Sequence, residues 1–182
     1  MGGLGCPDRI LAAARELVGR GEDLGLNAVA RRAEVGVGTV YRHFATVEEL
    51  EEVVTWDRFD ELERILSDTG PDRFERSLSE HVSLLVADPL FERVTARSDA
   101  ALPQTAAKRA ALIDRLTAVL EEAQAAGTVR RGVDATSVLL LACGVAHSIR
   151  SARLAPDGDA ARALLGTILR GLRAEARPAE RG

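Results

Sequence analysis

A short segment, residues 36–44, contains the side chains of this chain best suited to recognising another molecule. It reads Gly-Val-Gly-Thr-Val-Tyr-Arg-His-Phe. On a helix, Val40 and Phe44 are four residues apart and share a buried face, so the polar side chains between them point outward. Hydroxyl, guanidinium and imidazole groups can donate hydrogen bonds to phosphates and base edges of DNA. The segment therefore indicates a helix that contacts nucleic acid, although a solvated helix with one basic face would have the same composition.

The remaining sequence lacks the spacing of an active site. It has no nucleophile–base pair, no glycine-rich phosphate loop after a strand and no regular spacing of metal ligands. Its two cysteines, Cys6 and Cys143, lie far apart, which favours a reduced, cytoplasmic setting. We therefore expect a protein that is not an enzyme and needs no cofactor or metal.

The charge distribution is uneven along the chain. The net charge is −4 over 182 residues, which does not by itself favour a nucleic-acid binder. Residues 1–47 contain six arginines and five acidic residues, a balance of +1, so the remainder carries −5. Residues 24–44 contain three arginines and one glutamate, or +2. The amino-terminal part is thus the one that could face phosphates.

Hydrophobic periodicity is helical throughout and predicts an all-α protein. We expect nine helices, three short ones followed by six, with prolines and glycines at their boundaries. The longest apolar stretch, Val138–Ile149, is too short to span a membrane. The division falls before Val47, giving a helix-turn-helix domain at 1–46 and a larger helical domain at 47–182, to which the resemblance described next assigns DNA binding and, respectively, ligand binding and dimerisation. The predicted helices begin and end at about 8–20, 26–34, 37–44, 47–66, 72–87, 90–98, 103–126, 134–152 and 159–176.

Residues 26–33 and 36–44 together resemble the helix-turn-helix of TetR-family transcriptional regulators, and the motif match extends over about residues 8–54. The resemblance implies three helices for DNA binding and six for ligand binding and dimerisation. It further implies a homodimeric repressor that binds a palindromic double-stranded DNA operator and is released by a small molecule.

The resemblance also assigns DNA contacts. Thr39, Tyr41 and His43 match contact positions on the recognition helix, and Val37 and Gly38 match its groove-facing start. Asn27 matches a position in the preceding helix that often meets DNA. Arg42 is added to them because its guanidinium group can donate hydrogen bonds to phosphates and base edges. The predicted DNA-binding residues are therefore Asn27, Val37, Gly38, Thr39, Tyr41, Arg42 and His43.

Several positions depart from the family pattern. Glu34 replaces the glycine that usually follows the second helix, so either this residue is left-handed or the helix ends differently. Val47 replaces a lysine or arginine that often binds phosphate, which would reduce the affinity for DNA and lower its salt dependence by about one unit. Gly25 stands where serine often caps the second helix, and Ala45 where proline is common.

The effector site is predicted from aromatic and polar residues on apolar helix faces, in the region where the resemblance places a ligand cavity. Few aromatic walls are available, which favours a small apolar ligand. Ordinary core residues would give the same pattern, and a metal site made of the histidines and the cysteine is supported by no ligand spacing. The predicted ligand-binding residues are Trp56, Phe59, His81, Phe91, Cys143 and His147.

The last two predicted helices are candidates for a homodimer interface, because their apolar faces are broad and the first of them contains small residues. Both faces could instead be internal core. The leading interpretation is a ligand-responsive repressor. The alternative is a helical, dimeric ligand-binding protein whose DNA binding is weak or lost, which Val47, Glu34 and the acidic balance favour.

Overall fold

A computed structural model describes residues 5–70 and 72–174, and over these residues the regular structure is entirely helical. This confirms the predicted all-α class. A single isolated bridge pairs Val129 with Arg173. Ten helices occupy the described ranges: α1 Cys6–Gly19, α2 Leu26–Arg32, α3 Val37–His43, α4 Val47–Val54, α5 Trp56–Leu66, α6 Arg73–Ala87, α7 Pro89–Ala96, α8 Pro103–Ala125, α9 Ala135–Ser151 and α10 Asp159–Leu172.

The first three helices pack around a small apolar centre. Ile10 and Ala14 on α1 are fully buried, as are Val29 on α2 and Val40 on α3. The small side chain of Ala30 allows a neighbouring helix to approach α2 closely, and α2 packs against both α1 and α3. The turn between α2 and α3 is short, so the two helices form the predicted helix-turn-helix.

The predicted fourth helix is wrong in one respect, because it is two helices. α4 ends at Val54 and α5 begins at Trp56. Thr55 lies between them, fully buried, and its hydroxyl donates to the backbone carbonyl of Glu52 at 2.9 Å. A threonine hydroxyl bonded to a preceding carbonyl competes with the helical ladder and bends the backbone. Periodicity did not detect this break, and the described chain has ten helices instead of nine.

The start of α4 is capped by two side chains. The hydroxyl of Thr46 accepts from the backbone N–H of Glu49 at 3.2 Å. The carboxylate of Glu49 reaches back and accepts from the N–H of Ala45, one residue before the cap, at 2.7 Å. Both bonds satisfy donors that a helix start leaves free, so the direction of α4 is fixed immediately after α3.

The end of the chain agrees with the prediction only in part. Asp134 caps α9, with its carboxylate accepting from the N–H of Ser137 at 2.8 Å. That bond and the Ser137 hydroxyl lower the pKa of Asp134. The last helix ends at Leu172, earlier than the predicted 176, and the prediction beyond residue 174 lies outside the described residues.

The larger part of the molecule is a helical body in which α6 packs on α9 and α5 on α8. α4 packs on α1 and also on α7, so it touches both the DNA-binding helices and the body. Within the described ranges no helix combines the length and the apolar character needed to cross a membrane.

Candidate DNA interface and effector site

The outer surface of α3 presents the predicted contact residues. Val40 and Phe44 are buried, which fixes the rotation of the helix about its axis. Tyr41 is 51 % exposed and Val37 is 43 % exposed, while Thr39 is half-buried. Gly38, Arg42 and His43 are also exposed. Val37 and Tyr41 are four residues apart, so their exposed side chains lie on the same face of α3.

The cation on α3 is not neutralised by a carboxylate in the described part of the chain. The Nε–H of Arg42 donates to the carbonyl of Gly38 at 3.1 Å, and its terminal nitrogen lies 3.4 Å from the Thr39 hydroxyl. Both partners are uncharged groups on the same helix. The positive charge of Arg42 therefore remains available to a phosphate.

Two other arginines of the amino-terminal region are less available to DNA than the charge count of residues 1–47 indicated. Arg32 is bound to Glu16 on α1, with its Nε–H donating at 2.7 Å. Arg9 donates to the carbonyl of Ala33 at 2.6 Å. These two arginines stabilise the packing of α1 on α2, so counting every arginine of residues 1–47 overstates the charge that DNA would meet.

Asn27 is exposed in the first turn of α2. Gly25 caps this helix in an extended conformation without a side-chain bond. Because α2 packs directly on α3, Asn27 belongs to the same small module as the α3 surface.

Glu34 takes the left-handed conformation, with φ of 53°. This agrees with the first of the two expectations for a glutamate at a usual glycine position, and it costs roughly 1–2 kcal/mol. The N–H of Val35 bonds to the carbonyl of Ala30 at 3.0 Å, closing the end of α2. Arg9 also approaches the Glu34 carbonyl at 3.3 Å, so the turn is held by a cation at the helix end, where it is favourable.

Two buried glutamates connect α4 to the helical body, and the sequence analysis did not identify them. Glu52 is 1 % exposed, and its carboxylate accepts from the backbone N–H groups of Ala101 and Leu102 at 2.7 and 2.9 Å. Glu51 is 7 % exposed and binds two arginines of the α7 region, Arg93 at 2.9 Å and Arg97. We call Glu51 and Glu52 the α4 junction.

The sequence did contain a signal for Glu52. On the single helix predicted for residues 47–66, it lies four residues before Trp56 and seven before Phe59, on the face that they share. A carboxylate on that apolar face must be paired if it is buried. Its partners are backbone groups forty-nine and fifty residues later, which no local pattern could reveal.

Five of the predicted ligand residues lie in the core of the helical body or against it: Trp56, Phe59, His81, Phe91 and Cys143. Phe59 and Phe91 stack edge to face, with ring centroids 5.0 Å apart. Half-buried Trp56 donates from its indole N–H to the Thr105 hydroxyl at 2.9 Å. His81 is fully buried. The aromatic pair and the Trp56 bond tie α5 to α7 and α8.

His81 has no hydrogen-bond partner on either ring nitrogen in the described structure. Burial lowers the pKa of this imidazole from 6.5 to about 4, so it is neutral at physiological pH. Cys143 on α9 is also buried, and burial raises the pKa of its thiol to about 11. A neutral thiol of this kind is a poor nucleophile and metal ligand.

His147, unlike the other five, is exposed on the surface of α9, where its Nε2 shares a hydrogen bond of 3.1 Å with the Ser151 hydroxyl. It lies one turn after Cys143 on this helix, but Cys143 is buried and His147 is exposed. Among the described residues, no group of three or more histidine, cysteine, aspartate or glutamate residues could hold a metal ion.

A cavity of about 870 Å³ lies between the α5–α6 connection, the end of α8 and the end of α10. Its apolar floor is formed by Phe74, Val119, Ala123 and Val129. None of the predicted ligand residues lines it. Its rim contains two arginine–glutamate pairs, Arg73 with Glu122 and Arg173 with Glu75.

Family models match both parts of the chain. The model for bacterial regulatory proteins of the tetR family matches residues 10–53. A second model, for the C-terminal domain of SbtR-like transcriptional regulators, matches residues 73–174, more than half of the chain. This chain belongs to the TetR family of transcriptional regulators. It therefore has a DNA-binding helix-turn-helix and a ligand-binding domain, while no curated protein sequence matches it significantly.

Solved structures share this TetR-family fold over nearly the whole chain. The TetR regulator SCO0520 from Streptomyces coelicolor is 28 % identical, with a TM-score of 0.54, and the match covers 93 % of this chain and 99 % of that one. A protein from Rhodococcus sp. RHA1 is 22 % identical with a TM-score of 0.66, covering 94 % and 97 %. FadR from Bacillus subtilis, solved with stearoyl-CoA, is 18 % identical with a TM-score of 0.61, covering 93 % and 98 %.

Proposed function

We propose that this TetR-family regulator is a homodimeric repressor that binds a palindromic operator through α3 and is released by a small apolar molecule. One observation carries the proposal. The large apolar side chains left exposed in the described residues occur on three helices only: Val37 and Tyr41 on α3, Leu140 and Leu141 on α9, and Leu164 on α10. These are the surfaces that the proposal assigns to DNA and to the second subunit.

The DNA-binding part of the proposal comprises residues 1–46, and the remainder binds the effector and the second subunit. Tyr41, Arg42 and His43 are exposed on α3 and offer a phenol, a guanidinium and an imidazole to phosphates and base edges. Asn27 on α2 adds an amide from the same module. Because one such module makes few phosphate contacts, tight binding requires two modules on one operator.

The dimer would form through α9 and α10. Leu140 is 54 % exposed and Leu164 is 38 % exposed. Gly144, one turn after Leu140, is exposed, and a Cβ added to it would meet no atom within 4 Å. An exposed leucine followed by a glycine on one helix face permits close approach of a second helix. Two helices from each chain would then form a four-helix interface with two-fold symmetry.

The 870 Å³ cavity is the proposed effector site. Its volume fits a drug-sized ligand, and its floor is apolar. FadR, which has this fold, was solved with stearoyl-CoA, so the architecture is compatible with a ligand that carries a long apolar acyl chain. The residues Trp56, Phe59, His81, Phe91 and Cys143 remain predicted ligand contacts if the cavity extends inward when it is occupied.

The route from this cavity to the DNA passes along α5 and α4. At the cavity, Arg73 donates to the carbonyl of Leu66, the last residue of α5, at 2.7 Å. A ligand that displaces Arg73 would therefore release the end of α5. Thr55 divides α5 from α4, and the α4 junction connects α4 to α7 and to the start of α8. A shift of α5 would change the tilt of α4, and with it the distance between the two copies of α3.

The test measures binding of the full chain to DNA flanking its own gene, with gel shift and footprinting as the two assays. The proposal predicts protection of an inverted repeat and a two-chain complex. The alternative function is a dimeric ligand-binding protein with weak DNA binding. It is favoured by Val47, which replaces a basic residue, and by the ion pair that Arg32 forms with Glu16. Absence of sequence-specific protection, with a dimer and ligand binding intact, would support that alternative.

A further inference from the structure

Four arginines converge near the α4 junction, in a protein with a net charge of −4. Arg93 and Arg97 bind Glu51, and Arg150 binds Glu92. Arg109 donates to the carbonyl of Arg97 and forms no ion pair with a described residue. The charges that line the adjoining pocket are three arginines, Arg93, Arg97 and Arg150, and one glutamate, Glu92, a balance of +2, while Glu51 binds two of these arginines from α4.

Three of these arginines, Arg93, Arg97 and Arg150, line an open pocket of about 500 Å³ between α7 and α9, and its other polar lining residues are Glu92, His147 and Ser151. The Nη1 atom of Arg97 is buried and has no hydrogen-bond partner in the described structure. A buried guanidinium nitrogen without an acceptor is costly. The pocket lining thus combines an excess of positive charge with an arginine, Arg97, whose hydrogen-bonding capacity is not fully used.

We propose that this pocket is a second ligand site and that it binds a phosphate-bearing small molecule. A phosphate group presents three or more oxygens and up to two negative charges, which matches the number of donors and the +2 balance. A carboxylate presents two oxygens and one charge. Arg93 and Arg97 offer guanidinium groups, and the exposed His147 and Ser151 offer an imidazole and a hydroxyl.

Occupancy of this pocket would act on the α4 junction. Arg93 and Arg97 are the same residues that bind Glu51 on α4. A phosphate that draws these guanidinium groups toward the pocket competes with Glu51 for them. α4 would then lose the ion pairs of Glu51 with Arg93 and Arg97 while keeping the bonds of Glu52 to Ala101 and Leu102. This consequence rests on the proposed function, whereas binding itself does not.

Inorganic pyrophosphate is the probe, titrated calorimetrically into the full chain without DNA at constant ionic strength. The expected result is saturable binding of one pyrophosphate per chain. Arg93→Gln should weaken it at least tenfold, and His147→Ala, which changes an exposed side chain, should weaken it less. Arg131→Gln removes an exposed arginine outside the pocket and should leave binding unchanged. No saturable binding to the unmodified chain, or equal binding by Arg93→Gln, would overturn the site.

A second titration measures operator affinity with and without pyrophosphate at fixed ionic strength. If pyrophosphate weakens operator binding by the unmodified chain but not by Arg93→Gln, the competition with Glu51 is supported. Equal effects on both chains would overturn that competition, since pyrophosphate would then act elsewhere. If no operator is bound by any variant, the proposed function fails while the calorimetric result still decides the pocket.

Discussion

Glu52 on α4 accepts a hydrogen bond of 2.7 Å from the backbone N–H of Ala101, forty-nine residues later in the chain. The other carboxylate oxygen accepts from the N–H of Leu102 at 2.9 Å. Hydrogen bonds from backbone N–H groups to a buried carboxylate are stronger than neutral ones. α4, which packs on α1, therefore has an attachment to the segment just before α8 begins.

Glu52→Gln should destabilise the protein, because the amide keeps one acceptor oxygen but replaces the other with an NH₂ group facing a donor. The expected loss is about 1.5–3 kcal/mol in the free energy of unfolding. Urea denaturation measures it. Glu121→Gln, at an exposed position on α8, is the matched control and should change stability by less than about 0.5 kcal/mol. Equal effects of the two substitutions would show that the Glu52 attachment does not stabilise the fold.

Val47→Lys should tighten operator binding. Val47 is the first residue of α4 and half-buried, and a lysine there can extend its ammonium group to a phosphate. The plot of log affinity against log salt should steepen by about one unit. Ala106→Lys adds the same charge at an exposed position on α8 and should leave the slope unchanged. A Val47→Lys slope no steeper than that of the original chain would contradict the assignment of this position to the DNA interface.

Leu140→Glu should separate the proposed dimer into monomers, because it places charges at the centre of an apolar interface. Analytical ultracentrifugation at micromolar concentration measures the change in mass. Ala111→Glu introduces the same group on the exposed side of α8 and should leave the dimer intact. If the original chain is already monomeric, or if Leu140→Glu remains dimeric, the interface lies elsewhere or does not form.

His81 should make stability depend on pH below neutrality. Its folded pKa is about 4, lowered by burial from 6.5, so above pH 6.5 it is neutral in both states and no stability is lost. As the pH falls from 6.5 to 4, only the unfolded chain gains a proton at this histidine. The free energy of unfolding then decreases by roughly 3 kcal/mol. His81→Leu should remove this component, and His147→Gln, at an exposed position, should retain it. Unfolding curves at several pH values measure the difference, and identical pH profiles for His81→Leu and the original chain would contradict it.

The elements were largely predictable because they depend on local spacing. The apolar faces of α1, α6 and α9 follow helical periodicity, and the residues of the α3 segment match the helix-turn-helix motif of the TetR family. The break at Thr55 was missed because it depends on a single hydroxyl bonding to the Glu52 carbonyl. Periodicity could place His147 on α9 but could not show that its side of the helix faces solvent.

The candidate sites were less predictable because they depend on distant pairings. In the sequence, Arg32 counts as a charge that could face DNA, but in the structure it forms an ion pair with Glu16 on α1. The 870 Å³ cavity is formed where the ends of three helices meet, and its apolar floor, Phe74, Val119, Ala123 and Val129, comes from separate segments. Neither relationship has a signature within one helix.

The central claim is that α3 contacts the operator through its exposed face, and Tyr41→Ala tests it most directly. Fluorescence anisotropy with labelled DNA from the region flanking the gene measures the affinity, and circular dichroism melting checks the fold. Tyr41 is half exposed, so the melting temperature should change little while operator affinity falls at least tenfold. Tyr41→Phe, which keeps the ring and loses the hydroxyl, should give an intermediate loss. Operator binding by a folded Tyr41→Ala protein at the original affinity would contradict the claim.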